Sequence, residues 1–360
     1  MTGFNVVECV EGDRYSWNEY VRKNSHSHVY HLWEWGDLLC RTYNYDRHYW
    51  AVKKGDEIIG VFPCLFVRSL IFGQRLISLP FVEYAGPILK NKMDSATSRV
   101  VLTQLLDSTL KLSKKLRADY TEIRHPQISL ASLLQPVGFE PVQRHVTFNI
   151  DLTKEESGLW AQLDKKCRNS LRKAMRSGID VEEVDSNNLE QYYYLYLQSQ
   201  KRLGSPPNSF DFFQNLYDAF KPGGYLKMTL AVYDSKPIAG VIVLCFREKL
   251  YWFGNVTNRK YVHLNPTNLL LWRMIQCGIE NSFSVFDLGE TRKEDIGIYH
   301  FKSGWGGNET NLEDYIFFRR RVELPNPRKR KYILLSKLWS KMPEVMARRI
   351  GPRLIGGIAL

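Results

Sequence analysis

The strongest constraint on the fold is a similarity between two stretches that lie 180 residues apart. "AVKKGDEIIGVFPCLF" (51–66) and "AVYDSKPIAGVIVLCF" (231–246) match at Ala, Val, Gly, Val and Phe. Each has a strand-like run, a turn with polar residues and Gly or Pro, and a second strand-like run, which is the pattern of a β-hairpin. A repeated hairpin predicts a chain built from two similar units.

The segments that follow the two hairpins occur in the same order in each half. A third strand-like run precedes a helix-length segment, and a short strand comes next. These segments are 76–89, 94–117 and 119–125 in the first half, and 249–256, 266–281 and 283–289 in the second. We therefore predict a duplicated α/β unit, with a helix-rich connector between its two copies.

The composition is that of a globular protein. Hydrophobic residues make up 44% and charged residues 24% of the chain, and 360 residues are enough for two domains. The longest apolar run, 238–246, is too short to cross a bilayer. The first twenty residues include charged residues and no apolar run, and the six cysteines are scattered. We therefore expect no secretory signal, reduced thiols and a cytoplasmic location.

A basic helix is predicted in the connector, over 156–179. At 100° per residue, one side holds Leu163, Cys167, Leu171 and Ala174, and the opposite side holds Lys165, Arg168, Arg172 and Arg176. Two interpretations stay open. The helix either packs on the core with a solvated basic face, or it borders a cleft in which arginine grips phosphate through its planar fork.

A lysine stands among aromatic residues and glycines in "GIYHFKSGWGG" (297–307). Lys302 has Tyr299, Phe301 and Trp305 as neighbours, and the glycines permit backbone angles or close approaches that other residues resist. Either the aliphatic stem is packing material and the charge reaches water, or the ammonium is held in a pocket.

Five segments resemble the FemAB family of peptidyltransferase-like proteins, which are built from two acetyltransferase-like (GNAT) domains. The segments are 29–39, 60–87, 165–181, 251–272 and 286–307, and the last two are the most specific. The resemblance implies an α/β (α+β) chain with two tandem GNAT-like domains, and the sequence beyond them predicts a basic helical C-terminal tail. The expected ranges are 1–150, 151–322 and 323–360.

The resemblance also implies an activity, the transfer of an acyl or aminoacyl group to an amine of a cell-envelope or surface-polysaccharide precursor. The precursor would be lipid-linked or nucleotide-linked, no cofactor would be bound, and the donor would be aminoacyl-tRNA or acyl-CoA. Two alternatives are an acyl-CoA-dependent N-acetyltransferase and a non-catalytic GNAT-fold protein that binds glycan precursors or acts as a scaffold at the membrane.

Acyl transfer to an amine requires a neutral nucleophile, a stabilised oxyanion and aligned substrates. Lys302 matches the lysine of the family's FK motif and is the candidate cationic donor. Asp287, at the end of an apolar strand, would position or deprotonate the amine, or it would only cap the following turn. The expected substrate-binding residues are Arg168, Arg172, Tyr84, Arg259, Asn255, Glu290, Tyr299 and Trp305.

Three further motifs qualify this picture. The helix start at 265–267 lacks the glycine-rich turn usual for CoA, although its free N–H groups and Arg259 can still bind an anion. Tyr84 would line an acceptor groove or belong to the core. His26, His28 and His31 do not together fit one face of a helix and have no accompanying carboxylate cluster, so we expect no metal site.

The net charge of +12 is concentrated at the C-terminal end. From Arg319 onward, twelve basic residues face only Glu323 and Glu344, which leaves +2 for the rest of the chain. The tail also carries apolar residues at helical spacing, with breaks expected near Pro343 and at 351–352. We predict a basic amphipathic segment that contacts an anionic membrane. The alternatives are packing against the body and binding of tRNA.

Overall fold

Both predicted hairpins are present, each in its own compact unit. The computed structural model describes residues 3–69, 72–126, 128–324 and 330–359. Unit 1 contains Met1–Arg144, Leu312–Asn326 and Arg353–Leu360, and unit 2 contains His145–Asn311 and Pro327–Pro352. The predicted domain ranges were continuous, whereas unit 1 gathers three separate pieces of the chain.

The secondary structure alternates between short strands and helices. The strands are β1 Phe4–Cys9, β2 Asp46–Lys54, β3 Glu57–Ser69, β4 Gly73–Ile77, β5 Ile88–Leu89, β6 Tyr120–Ile123, β7 Glu140–Asp151, β8 Asp180–Glu183, β9 Leu226–Tyr233, β10 Lys236–Phe246, β11 Lys249–Thr257, β12 Val285–Asp287 and β13 Asn308–Phe318. The helices are α1 Arg14–Lys23, α2 Trp33–Tyr43, α3 Ser95–Lys115, α4 Ile128–Leu134, α5 Glu156–Gln162, α6 Lys165–Met175, α7 Leu189–Leu203, α8 Phe210–Phe220, α9 Pro266–Glu280, α10 Ile296–Ser303, α11 Arg330–Ser340 and α12 Glu344–Ile358.

In unit 1, β1 to β4 form an antiparallel meander, and β6 adds to β4 in parallel. Parallel neighbours need a crossover connection, and α3 supplies it. The C-terminal part of β13 pairs with β6 in the antiparallel sense, with Tyr315 opposite Ile123. The core lies between this sheet and α3, where Val101 and Leu105 are buried.

In unit 2 the same arrangement recurs. The strands β8 to β11 are antiparallel, α9 crosses over, and β12 adds to β11 in parallel. β7 closes the other side of β12, with Asn149 opposite Asp287. The predicted repetition of hairpin, strand, helix and strand is therefore confirmed.

The glycine shared by the two repeats has the same packing role in both units. A Cβ on Gly60 would lie 2.6 Å from Val101 of α3, and a Cβ on Gly240 would lie 2.7 Å from the ring of Tyr192 in α7. Real Cβ atoms do not approach neighbours so closely, so each central strand needs glycine where a helix crosses it.

The predicted helix over 156–179 is wrong in one respect, because it is two helices. Leu163 is extended, with ψ 141°, and Asp164 is the N-cap of α6 and accepts a hydrogen bond from the Cys167 N–H. Such a cap satisfies one of the free N–H groups at a helix start. The side that we predicted to be apolar is buried, at Leu163, Cys167, Leu171 and Ala174.

The predicted strand over 76–89 is only partly formed. β4 ends at Ile77 and β5 begins at Ile88, and the chain between them is irregular. Pro80 and Pro87 have no N–H to donate to a strand partner, which explains the interruption. Two single bonds, from Ser78 N to Glu122 O and from Ala85 N to Arg124 O, hold this segment beside β6.

The tail forms the two helices α11 and α12. The predicted break near Pro343 is confirmed, but the second is wrong, because α12 continues through Pro352 to Ile358. Within unit 1, the tail's last carbonyl groups accept hydrogen bonds from buried side chains: Tyr45 to Gly356 O (2.6 Å), Arg75 to Gly357 O and Ile358 O, and Arg124 to Ala359 O (3.0 Å). These donors satisfy carbonyls that a helix end leaves unpaired. The positive charges of the two arginines also interact favourably with the partial negative charge at the C-terminal end of the helix.

Within the described ranges, no helix combines the length and the apolar character that a bilayer crossing requires.

Candidate active site

Lys302 is held inside unit 2. Its side chain is on α10, and the residue is only 8% exposed. The ammonium donates to the carbonyl oxygens of Gly289 (2.9 Å) and Glu290 (2.8 Å), and it lies 5.7 Å from the ring centroid of Trp252. Of the two sequence interpretations, the structure supports an ammonium held in place by acceptors and an aromatic face.

The glycines after Lys302 let the chain turn closely against the start of α6. A Cβ on Gly304 would lie 2.7 Å from Asp164 Oδ2, and a Cβ on Gly306 would lie 2.8 Å from the carbonyl oxygen of Gln162. The Gly304 carbonyl also accepts from the Asp164 N–H at 2.9 Å. The predicted need for close approaches is confirmed, and these contacts anchor the end of the helix that carries Lys302.

Asp287 is buried at the end of β12. Its Oδ1 accepts from the Gly289 N–H at 2.8 Å and from the hydroxyl of Thr147 on β7. The carboxylate therefore caps the turn 287–289, as one sequence interpretation expected. That turn is also the one whose carbonyls hold Lys302, so capping brings a buried carboxylate and a buried ammonium to the same turn.

His145 is a neighbour of this turn that the sequence did not predict. An antiparallel bridge between Val146 and Thr291 brings it beside Glu290. Arg292 Nε donates to His145 Nε2 at 3.3 Å, and His145 Nδ1 lies 3.3 Å from Glu290 Oε2. Since Nε2 accepts, a neutral imidazole would carry its hydrogen on Nδ1 and donate it to Glu290. The Glu290 side chain itself is 45% exposed.

The two arginines predicted on α6 have different surroundings. Arg168 donates to the carbonyl oxygens of Ala161 (3.0 Å) and Leu163, so it ties α6 to the end of α5. These two bonds engage Nη1 and give Arg168 a structural role, and its role as a phosphate ligand stays a prediction. Arg172 is exposed, with its guanidinium 5.6 Å from the ring of Trp160. It lines an open groove of about 540 Å³, together with Asn169, Lys173, Arg176 and Ser177.

Asn265 and Pro266 predict a capped start for α9, with asparagine as the cap and proline at the first helical position. Pro266 is the first residue of the helix, but the cap is wrong, because the Asn265 side chain makes no capping bond and its backbone is left-handed, with φ 56°. Thr267 instead shares a hydrogen bond of 2.7 Å with Thr257. Arg259 begins an exposed 3-10 turn, and Asn255 is exposed on β11.

Comparisons with known proteins show what this chain is similar to. A family model described as an acetyltransferase (GNAT) domain matches residues 165–303. The lipid II:glycine glycyltransferase of Staphylococcus saprophyticus is 24% identical over 238 residues, which are 61% of this chain and 54% of that protein. A crystal structure of FemX has a TM-score of 0.70 at 15% identity, over 94% of this chain and 100% of that chain. The chain is FemAB-like.

The FemAB-like chain spans about half the length of the curated relatives it matches. A tandem GNAT protein from the clavulanic acid biosynthesis pathway has a TM-score of 0.58 at 9% identity, over 89% of this chain and 100% of that chain. These two structural likenesses confirm the predicted tandem GNAT-like fold. The matched range 165–303 contains α6, Asp287 and Lys302.

Three other predicted substrate-binding residues of the FemAB-like chain are buried or already bonded within the protein. Trp305 is 1% exposed and belongs to the core of unit 2, so it supports the helix end and cannot offer a ligand surface. The Tyr299 hydroxyl donates to the Glu309 carboxylate, and this bond raises the pKa of Tyr299. Tyr84 lies in unit 1, buried and stacked on His28 at 4.3 Å. Of its two interpretations, the core tyrosine is the one observed.

The histidines near Tyr84 have no metal-binding arrangement. Within the part of the chain that the structure describes, no group of three or more His, Cys, Asp or Glu side chains is placed to hold a metal ion. His31 is fully buried and contacts the Gly86 carbonyl oxygen at 3.1 Å.

Proposed function

We propose that the FemAB-like chain is an acyltransferase that joins an acyl or aminoacyl group to an amine of a cell-envelope precursor. The observation that carries this proposal is the buried ammonium of Lys302, held by the carbonyls of Gly289 and Glu290 on the turn that Asp287 caps. The GNAT match over 165–303, which includes both residues, supports the reaction class.

In this reaction the amine nitrogen attacks the carbonyl carbon of the donor, and a C–N bond forms. The carbonyl oxygen gains negative charge, the amine loses a proton, and the bond to the donor's oxygen or sulfur breaks. A cation that is already fixed in a poorly hydrated site stabilises that oxygen without having to reorganise. Lys302 fills this role in the proposal. Asp287, fixed by Thr147 and Gly289, orients the amine or takes its proton.

The relatives named lipid II:glycine glycyltransferase suggest the substrates. The proposed acceptor is a lipid-linked glycan precursor, with a nucleotide-linked form as the soluble equivalent, and the proposed donor is aminoacyl-tRNA. The groove beside Arg172 would take a phosphate group of one substrate. The reaction would take place at the cytoplasmic face of the membrane. An acyl-CoA donor is the second candidate, and the GNAT match favours it.

A product assay tests the proposal. The purified chain is given a nucleotide-linked or lipid-linked precursor with either glycyl-tRNA or acetyl-CoA, and amide products are detected by mass spectrometry. We expect Lys302→Met to lower turnover by roughly 10²- to 10³-fold. Lys293→Met, which changes an exposed lysine paired with Glu309, should have little effect. Full turnover in both Lys302→Met and Asp287→Asn would overturn the mechanism. Precursor binding without any product would favour the non-catalytic alternative.

A further inference from the structure

The helix α11 has one side against unit 2. Ser336 donates from its hydroxyl to the Leu203 carbonyl oxygen at 3.2 Å, at the end of α7. Trp339, three residues further on, is buried. Because residues three apart lie on the same face of a helix, these two define the inward side of α11.

The outward side of α11 carries leucines. Leu334 is 61% exposed and Leu338 is 68% exposed, and their spacing of four places them one above the other. Leu335 is 58% exposed at the edge of this side. Single exposed leucines are common on protein surfaces, but three within five residues of one helix form a patch that suits an apolar partner.

Cations surround this patch. Lys337 is exposed on the same side of α11, and Lys341 is exposed in the turn that follows the helix. No acidic residue occurs in the sequence between Arg330 and Pro343, and the run of four consecutive basic residues, 328–331, overlaps the start of the helix. Leucines between cations complement a surface that has an anionic outer layer and an apolar layer beneath it. An anionic lipid interface has that character, whereas RNA offers no partner for the leucines.

We propose that this face, defined as Leu334, Leu335, Leu338, Lys337 and Lys341, lies on an anionic lipid bilayer and docks unit 2 there. The leucines would enter the boundary between headgroups and acyl chains, and the lysines would contact lipid phosphates. This docking rests on the proposed function, because it would hold the enzyme at the surface where a lipid-linked acceptor resides.

Vesicle co-sedimentation of the full chain tests the docking. We expect binding to vesicles of phosphatidylglycerol and phosphatidylcholine, and much weaker binding to phosphatidylcholine alone. The double variant Leu334→Ser, Leu338→Ser should lose roughly tenfold or more of its affinity. Lys337→Gln with Lys341→Gln should weaken binding to anionic vesicles and lower its salt sensitivity. Val262→Ser is the matched control, because Val262 is 52% exposed in unit 2 but distant in sequence from α11.

Three outcomes would overturn the docking proposal. The first is no vesicle binding by the unmodified chain, and the second is unchanged binding by the double leucine variant. The third is a gel shift of tRNA by the full chain together with no binding to vesicles. Circular dichroism checks that the variants are folded. Turnover of a soluble nucleotide-linked acceptor, which needs no membrane, should be kept by the leucine variants. That measurement separates failure of docking from failure of the transfer chemistry.

Discussion

Asp287 and Lys302 are hydrogen-bonded to the same residue, Gly289. The Gly289 N–H donates to the Asp287 carboxylate at 2.8 Å, and the Gly289 carbonyl accepts from the Lys302 ammonium at 2.9 Å. One peptide turn therefore fixes the anion and the cation relative to each other. Any catalytic use of either charge depends on the shape of that turn.

Replacement of Gly289 should impair the site more than the fold. Gly289 has φ +71°, a conformation that costs a residue with a Cβ roughly 1 to 2 kcal/mol. Gly178 has φ +69° and open space around it, so Gly178→Ala is a control for backbone strain alone. We expect similar losses of unfolding free energy in both variants, measured by urea denaturation, but a large loss of turnover only in Gly289→Ala. Equal turnover in the two would contradict the role of the turn.

The two arginines of α6 should separate ligand binding from stability. Arg172→Gln should weaken binding of inorganic pyrophosphate several-fold in titration calorimetry and leave the melting temperature unchanged, because Arg172 is exposed beside the groove. Arg168→Gln should lower the unfolding free energy by about 1 kcal/mol, because main-chain carbonyls lose their donor. The reverse pattern would mean that the groove is not an anion site.

The hydroxyl of Tyr45 should contribute to stability, whereas that of Tyr49 should not. Tyr45→Phe removes the bond to the Gly356 carbonyl and should cost about 1 kcal/mol in urea denaturation. Among the described residues, the buried Tyr49 hydroxyl has no hydrogen-bond partner, so Tyr49→Phe should be neutral or slightly stabilising. If both changes cost the same, the contact with α12 would be irrelevant to stability.

Acid should destabilise the fold through His31. Burial lowers the pKa of His31 to about 4, below the value of 6.5 for an unperturbed histidine. Between these values the unfolded chain binds a proton that the folded chain excludes, so stability falls as the pH decreases from 6.5 towards 4. The unfolding free energy of His31→Gln should depend less steeply on pH over that window than the unmodified protein's. An identical slope in the two proteins would refute this account.

Periodicity and turn residues were sufficient to predict the hairpins, α3, α9 and the buried side of α6. They failed at Asp164, because the apolar spacing of Leu163, Cys167 and Leu171 continues across a helix break. Asp164 is a residue type favoured as an N-cap, but this local signal was outweighed by the apolar periodicity that runs through it.

The candidate site was predictable only in part. Lys302 and Asp287 stand in distinctive segments, so the sequence could suggest them. His145 and Thr147 come from β7, about 140 residues earlier in the chain, and they reach the site only through sheet pairing. Arg168 and Arg172 look equivalent in sequence, and they differ because the end of α5 presents carbonyls to one of them.

The arrangement of unit 1 limits how the protein can be dissected. Residues 315–318, which pair with β6, follow unit 2's own strands in the chain, and the segment 353–359 comes later still. A fragment cut after residue 150 would lack that sheet partner and leave Arg75 and Arg124 without the carbonyls they hold. The two repeated units are therefore poor candidates for separate expression. A fragment of residues 1–150 should be insoluble by itself and should become soluble when it is mixed with a fragment of residues 151–360.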